Sequence, residues 1–325
     1  MNNRFFILLS LFFGLAACVQ TAKESGDSNN VQEQESTIIA EGKELFKIQC
    51  AACHNPEAKG DNRLAPPPHA IKKHYQKDNE DLSSFTKEMI AFLNEPSEEK
   101  AKMKHAIEKF NLMPKMNYQE EDLQKIAAYI YGTEFEKGHG KGKGKHKQKR
   151  KKAEVGSDEY YLKKGKQLAL GTKKVLGKNL IGAINAKGSE GALEFCSAKA
   201  IHLTDSMANE LKASIKRVSD QNRNPDNVAS ESELAYIMES KARLKDGKDP
   251  KPQLLKEGDK YIGYYPILTN QMCLQCHGKP NVNINETTLG KIKKHYPNDK
   301  AVGYGLNELR GIWVIEMDAE KESEI

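Results

Sequence analysis

Along this chain the apolar positions form one early run and then a series of short periodic sets. Residues 5 to 15 are largely apolar, but the run is too short to cross a bilayer as a helix, which takes about 20 residues. Residues 19–36 are polar and lack aromatic side chains, which predicts a flexible tether. From Ile38 the pattern becomes helical: Ile38, Gly42, Leu45 and Phe46 share a face. Leu123, Ile126, Ala127 and Ile130 repeat it over 120–132, with acids in the first turn. Each of these helices needs the other to bury its apolar face.

The second half reads as helices mixed with strands. A long helix over 159–186 carries Leu168, Ala169, Val175, Leu176 and Ile181. A second, over 189–203, spaces Leu193, Cys196, Ala200 and Leu203 by three, four and three, so Cys196 is expected to point inward. Residues 213–219 look extended and 223–227 form a turn. A helix over 231–245 runs its apolar face through Leu234, Ile237, Met238 and Leu244. A strand at 260–268, a helix at 286–296 and a strand at 311–317 complete an α+β region whose strands are expected to be antiparallel.

Charge changes the picture between the halves. Residues 137–152 hold nine Lys/Arg and no acid, and without them the formal net charge of +6 turns negative. The basic balance therefore belongs to a spacer too rich in Gly and Lys to bury a core, and not to a nucleic-acid-binding face. The predicted organisation is a signal over 1–18, a tether over 19–37, one domain over 38–135, the basic linker over 136–156 and a second domain over 157–320.

Chemistry enters with the cysteines. Arg4, the apolar run and the small residues before Cys18 read as an export signal, and Leu15-Ala16-Ala17-Cys18 resembles the bacterial lipobox, which makes Cys18 the lipidation candidate. The expected location is periplasmic or cell-surface, lipid-anchored to a bacterial membrane. Cys50/Cys53 and Cys273/Cys276 are C-x-x-C pairs, each followed at once by histidine, His54 and His277. C-x-x-C-H is the attachment signature of c-type haem, with thiols for the vinyl groups and a histidine for one face of the iron. Zinc would need further Cys or His at knuckle spacing, and a thioredoxin-like pair would sit near a βαβ pattern. Two covalently bound haem c groups are therefore expected, and Cys196 is left over.

Residues 38–135, with paired terminal helices around C-x-x-C-H, resemble class I cytochrome c, an all-α fold. The resemblance implies a methionine as the second iron ligand. Met113, which precedes Pro114, is the first candidate and Met116 the second, with His69, His74 and His105 as alternatives. It also implies that the Pro66-Pro67-Pro68 run supplies a carbonyl that orients the proximal imidazole.

Five segments at 192–200, 217–227, 264–278, 295–304 and 309–317 together resemble a family of exported c-haem domains with a PAS-like fold, proposed as redox sensors. The likeness spans 158–319. In that family the iron lies between the histidine of C-x-x-C-H and a cysteine, which implies His277 and Cys196 here, with His202 and His295 as fallbacks. A free cysteine on an inward helix face is otherwise a small buried hydrophobe. Arg217, Arg223 and Arg310 either pair with haem propionates or hold turns.

These readings combine into a membrane-anchored dihaem c-type cytochrome for electron transfer or redox sensing outside the cytoplasm, served by a redox partner protein or a quinol-linked chain. Two alternatives stand beside it. One is a peroxidase-like enzyme with one five-coordinate haem; the other is a gas or redox sensor with a labile cysteine ligand.

Overall fold

The computed structural model describes residues 27–57, 63–78, 81–135 and 153–320. Cys18 with its signal, and the basic run 137–152, lie outside the described residues. Helix α1 spans Asp27–Gln49. It begins inside the stretch expected to be a tether, where Gln32, Glu33, Gln34 and Glu35 are competent helix formers.

Four further helices complete the first region: α2 (Pro68–Gln76), α3 (Leu82–Asn94), α4 (Lys104–Phe110) and α5 (Glu120–Gly132). Pro68 opens α2, where a missing N–H costs nothing. Asp81 caps α3 by accepting the Ser84 N–H at 2.9 Å. The paired terminal helices meet as expected. A Cβ placed on Gly42 of α1 would run into the Lys125 carbonyl of α5, so only glycine permits that approach. Phe46 stacks on Tyr129 at 5.5 Å, and Phe85, fully buried, is edge-on to both Tyr75 and Tyr131.

The second region opens on α6 (Asp158–Ala198), capped by Ser157 and interrupted at Gly188, whose φ of 69° is left-handed. That break falls between the two helices read from the sequence. The second of them does not continue to residue 203: α6 ends at Ala198 and α7 (Ala200–Glu210) starts anew beyond Lys199. No Gly, Pro or capping residue marks that turn, so periodicity alone ran through it. Then follow β1 (Ser214–Val218), a 3₁₀ turn at Pro225–Asn227, α8 (Glu231–Lys245), β2 (Gln253–Glu257) and β3 (Lys260–Leu268). The last elements are α9 (Gln271–His277), α10 (Glu286–His295) and β4 (Leu309–Asp318).

The four strands form one antiparallel sheet in the order β1-β4-β3-β2. Alternation along β4 divides the core, because successive side chains leave opposite faces. Trp313, Ile315 and Met317 pack with Tyr161, Ala169 and Leu176 of α6, while Ile312 and Val314 pack with Tyr236 and Ile237 of α8. The apolar face read for α8 holds at Ile237 but not at Leu234 or Met238, the latter 62% exposed. Tyr236 takes their place against Tyr264. The expectation of an all-helical region followed by an antiparallel α+β region is met. Among the described residues no helix is long and apolar enough to cross a membrane.

Candidate functional site

The first C-x-x-C-H motif sits where α1 ends. Cys50 and Ala51 N–H groups both bond to the Phe46 carbonyl at 2.9 Å, which turns the chain and leaves Cys50, Cys53 and His54 along one side of a cavity. The cavity, open to solvent on one side, spans about 1180 Å³ and is walled mainly by apolar side chains, among them Met89, Phe92, Met103, Met113 and Met116. The His54 ring donates its Nδ1–H to the Pro66 carbonyl at 2.7 Å. The other ring nitrogen is thereby left as a lone-pair donor, the form in which imidazole binds a metal. Burial depresses the His54 pKa, which also favours the neutral ring. Burial pushes the Cys50 thiol up to about 12, and Cys53 rises for the same reason.

The second motif repeats the device on a different scaffold. Strand β3 runs into Asn270, whose side chain accepts the Cys273 N–H and starts α9. His277 at the end of that helix donates Nδ1–H to the Ala301 carbonyl, again at 2.7 Å. Arg223 fixes this support: it pairs through two nitrogens with Asp299, at 3.0 and 3.1 Å, and bonds the Cys276 carbonyl at 2.7 Å. Asp299 in turn accepts the Ala301 N–H at 2.9 Å. The His277 pKa is driven well below its usual value, first by burial and then by the neighbouring arginines, Arg310 foremost. Burial raises both thiols, Cys276 to about 12.

A second cavity, of about 910 Å³, is lined by Cys53, Lys173, Cys196, Arg217, Cys273 and Trp313, among others. It brings one cysteine from each motif to a common wall. Cys196 is therefore near the attachment cysteines of the second motif, whereas His277 is not among the described residues that line this cavity. Burial raises the Cys196 thiol, against the pull of Arg217 and Arg223. Of the three arginines, Arg223 holds the turn and Arg310 bonds Ser219 Oγ and Gln221 O, both at 3.1 Å. Arg217 faces the cavity and lies 5.5 Å over the Trp313 ring.

The remaining histidine candidates stand apart. His74, His105, His202 and His295 are exposed, and His69 lines neither cavity. All five described cysteines are free, and among the described residues no cluster of three or more His, Cys, Asp or Glu could hold a bare metal ion. The residues present fit a c-type haem: paired thiols, an adjacent imidazole with one nitrogen already engaged, and, at the first motif, an apolar cavity beside them.

Sequence reasoning missed that the second region helps to wall the first cavity. Ile181, Asn270 and Met272 line it, and Leu64 of the first region lies against Gly177 of α6. Nothing in the local pattern marks these residues, because their roles follow from how two distant segments pack.

A family model described as Tll0287-like matches residues 93–317, and one for cytochrome c matches 39–134. The first begins inside the second, so the two overlap in the methionine-bearing segment. Among curated proteins no relative matches. The crystal structure of the cyanobacterial heme-protein Tll0287 is similar at 17% identity and a TM-score of 0.35, over 47% of this chain and 94% of that one. The family match spans more than half of the sequence, so the chain belongs to the Tll0287-like family and joins it to a cytochrome c region, as a haem c-type cytochrome.

Proposed function

We propose that the protein carries two covalently attached haem c groups and serves electron transfer or redox sensing outside the cytoplasm, anchored to a bacterial membrane through lipidated Cys18. The observation that carries this reading is the duplicated device: each C-x-x-C-H histidine, preceded by two half-buried free thiols, gives its Nδ1–H to a backbone carbonyl at 2.7 Å. Haem iron, when bound, supplies a one-electron couple whose potential its ligands and surroundings set. The chain's own part is to hold, orient and dry that couple. Cys50 and Cys53 tether at the first site, and His54 and Met113 ligate there, with Met116 the alternative. Cys273 and Cys276 tether at the second, where His277 and Cys196 ligate. The second region is read as PAS-like, supported by its antiparallel sheet layered between helices. Were each haem held by both of these ligating residues, no position would remain for substrate, which favours a carrier or sensor over a catalyst. The redox partner is a protein or a quinol-linked chain.

Intact mass of the matured protein tests the count: two haems per chain are expected, and one in the Cys273→Ala/Cys276→Ala variant. A single haem in the unaltered chain overturns the reading. Low-temperature EPR of the oxidised protein should separate a His/Met from a His/thiolate signal, and a high-spin signal would instead support a five-coordinate, peroxidase-like centre.

A further inference from the structure

The segment carrying Met113 and Met116 belongs to no helix or strand, and several of its carbonyls accept hydrogen bonds from the second region. Asn185 of α6 donates to the Leu112 carbonyl at 2.7 Å. Gln275 donates to the Lys115 carbonyl at 3.2 Å, and Gln271 donates to the Asn117 carbonyl. Asn111, which enters the loop at a φ of 67°, reaches the Lys178 carbonyl at 3.5 Å. Three carbonyls over six residues thus accept from side chains of the second region, at positions that solvent also reaches. Two of the three donors stand on α9, and Gln275 lies between Cys273 and Cys276. Met116 sits between the two carbonyls that α9 holds, and its Sδ takes the Tyr118 hydroxyl at 3.4 Å. Met272, also on α9, lines the first cavity itself.

We infer that Gln271 and Gln275 are positioning residues for the first haem site: the helix that bears the second attachment motif holds the methionine loop of the first. The inference rests on the reading of Met113 or Met116 as the iron ligand there. Attachment at Cys273 and Cys276 fixes α9, and α9 fixes the loop, so the two centres are mechanically linked through two glutamines. A loop freed of this clamp keeps its methionines but spends less time with sulfur directed into the cavity.

The test uses the full haem-loaded chain and its Gln271→Leu/Gln275→Leu variant. The readouts are the near-infrared methionine-to-iron band, the two midpoint potentials and imidazole binding to the oxidised protein. The band is expected to weaken, the higher potential to fall while the other stays, since methionine ligation raises potential, and imidazole affinity to rise at least tenfold. Gln271→Lys/Gln275→Lys, which keeps a donor at each position, is expected to restore all three. Should the double leucine variant fail to fold, Gln275→Leu alone carries the same test at half the clamp. A band, potential and imidazole affinity all unchanged in the leucine variants would overturn the inference and leave the ligand reading intact. Absence of the band from the unaltered protein would overturn both.

Discussion

At the first motif the surroundings of His54 are apolar and methionine-rich; at the second, three guanidinium groups lie around His277 and Cys196. Both histidines place Nδ1 2.7 Å from a backbone carbonyl, and at His277 the Arg310 Nε also lies 3.3 Å from that nitrogen. The carbonyls come from different sources. Pro66 lies twelve residues past His54, just before the Pro67 cap of α2, whereas Ala301 lies in a loop held by the Arg223–Asp299 pair. Orientation of the imidazole is thus a local requirement that two unrelated scaffolds meet alike. The charge beside it is set independently by each scaffold. On the proposed ligands the methionine raises the first potential and the thiolate lowers the second, so the first centre is expected to be the higher, while the cationic wall at the second favours the reduced form and narrows the gap.

The largest expected way to break this comparison is Asp299→Ala. Arg223 and Asp299 are only 10% and 7% exposed at their side chains, and removing the acid leaves a buried guanidinium without its partner. A loss of about 3–5 kcal/mol is expected for breaking such a pair, read by urea denaturation of the second region, and His277 loses the loop that orients it. A variant within 1 kcal/mol of the parent, on the order of a surface change, would show that the pair does not hold the site. Next comes Gly42→Ala, which drives a methyl into the Lys125 carbonyl. Overpacking there should cost about 1–3 kcal/mol and should lower the melting of the first region with little change at the second. Smaller again is Arg217→Met, which removes the cation over Trp313 at a cost of about 0.5–2 kcal/mol. Its sharper readout is the lower of the two midpoint potentials, expected to fall further because a positive charge near Cys196 is gone. A fall in the higher potential instead would place Arg217 at the other centre.

Much of this was legible in the residues. The break at Gly188, the strands at 260–268 and 309–318 and the α8 helix follow from glycine, alternation and a Ser-x-x-Glu start at Ser230 and Glu233. Helices α2 to α4 were not read, because their apolar positions face a cofactor cavity as well as a protein core and their periodicity is diluted. Edge strand β2 is half-exposed and too short to show alternation. The attachment cysteines and their histidines were named from C-x-x-C-H, Met113 and Cys196 only through resemblance to known families, and Pro66 could be placed only within a run of three prolines. Ala301, Asp299, Gln271 and Gln275 act through backbone geometry or across the two regions, and a chain read in order has no signal for either.

The finest difference between the two regions is their response to acid. Asp81 caps α3 in the first region, and the Ser84 N–H and hydroxyl, both at 2.9 Å, hold its carboxyl below the usual aspartate range. Because the folded pKa lies below the unfolded one, the charge-dependent part of the cap is fully present above about pH 4. It drains away as pH falls through the folded value. Asparagine caps a helix about as well but carries no charge to lose. Asp81→Asn should therefore be slightly less stable than the parent at neutral pH, and the gap should close as the pH is lowered. Hydrogen exchange of the α3 amides at several pH values is the measurement. A gap that widens in acid would mean that the carboxylate is not what holds Ser84, and the acid sensitivity of the first region would have to come from its other carboxylates.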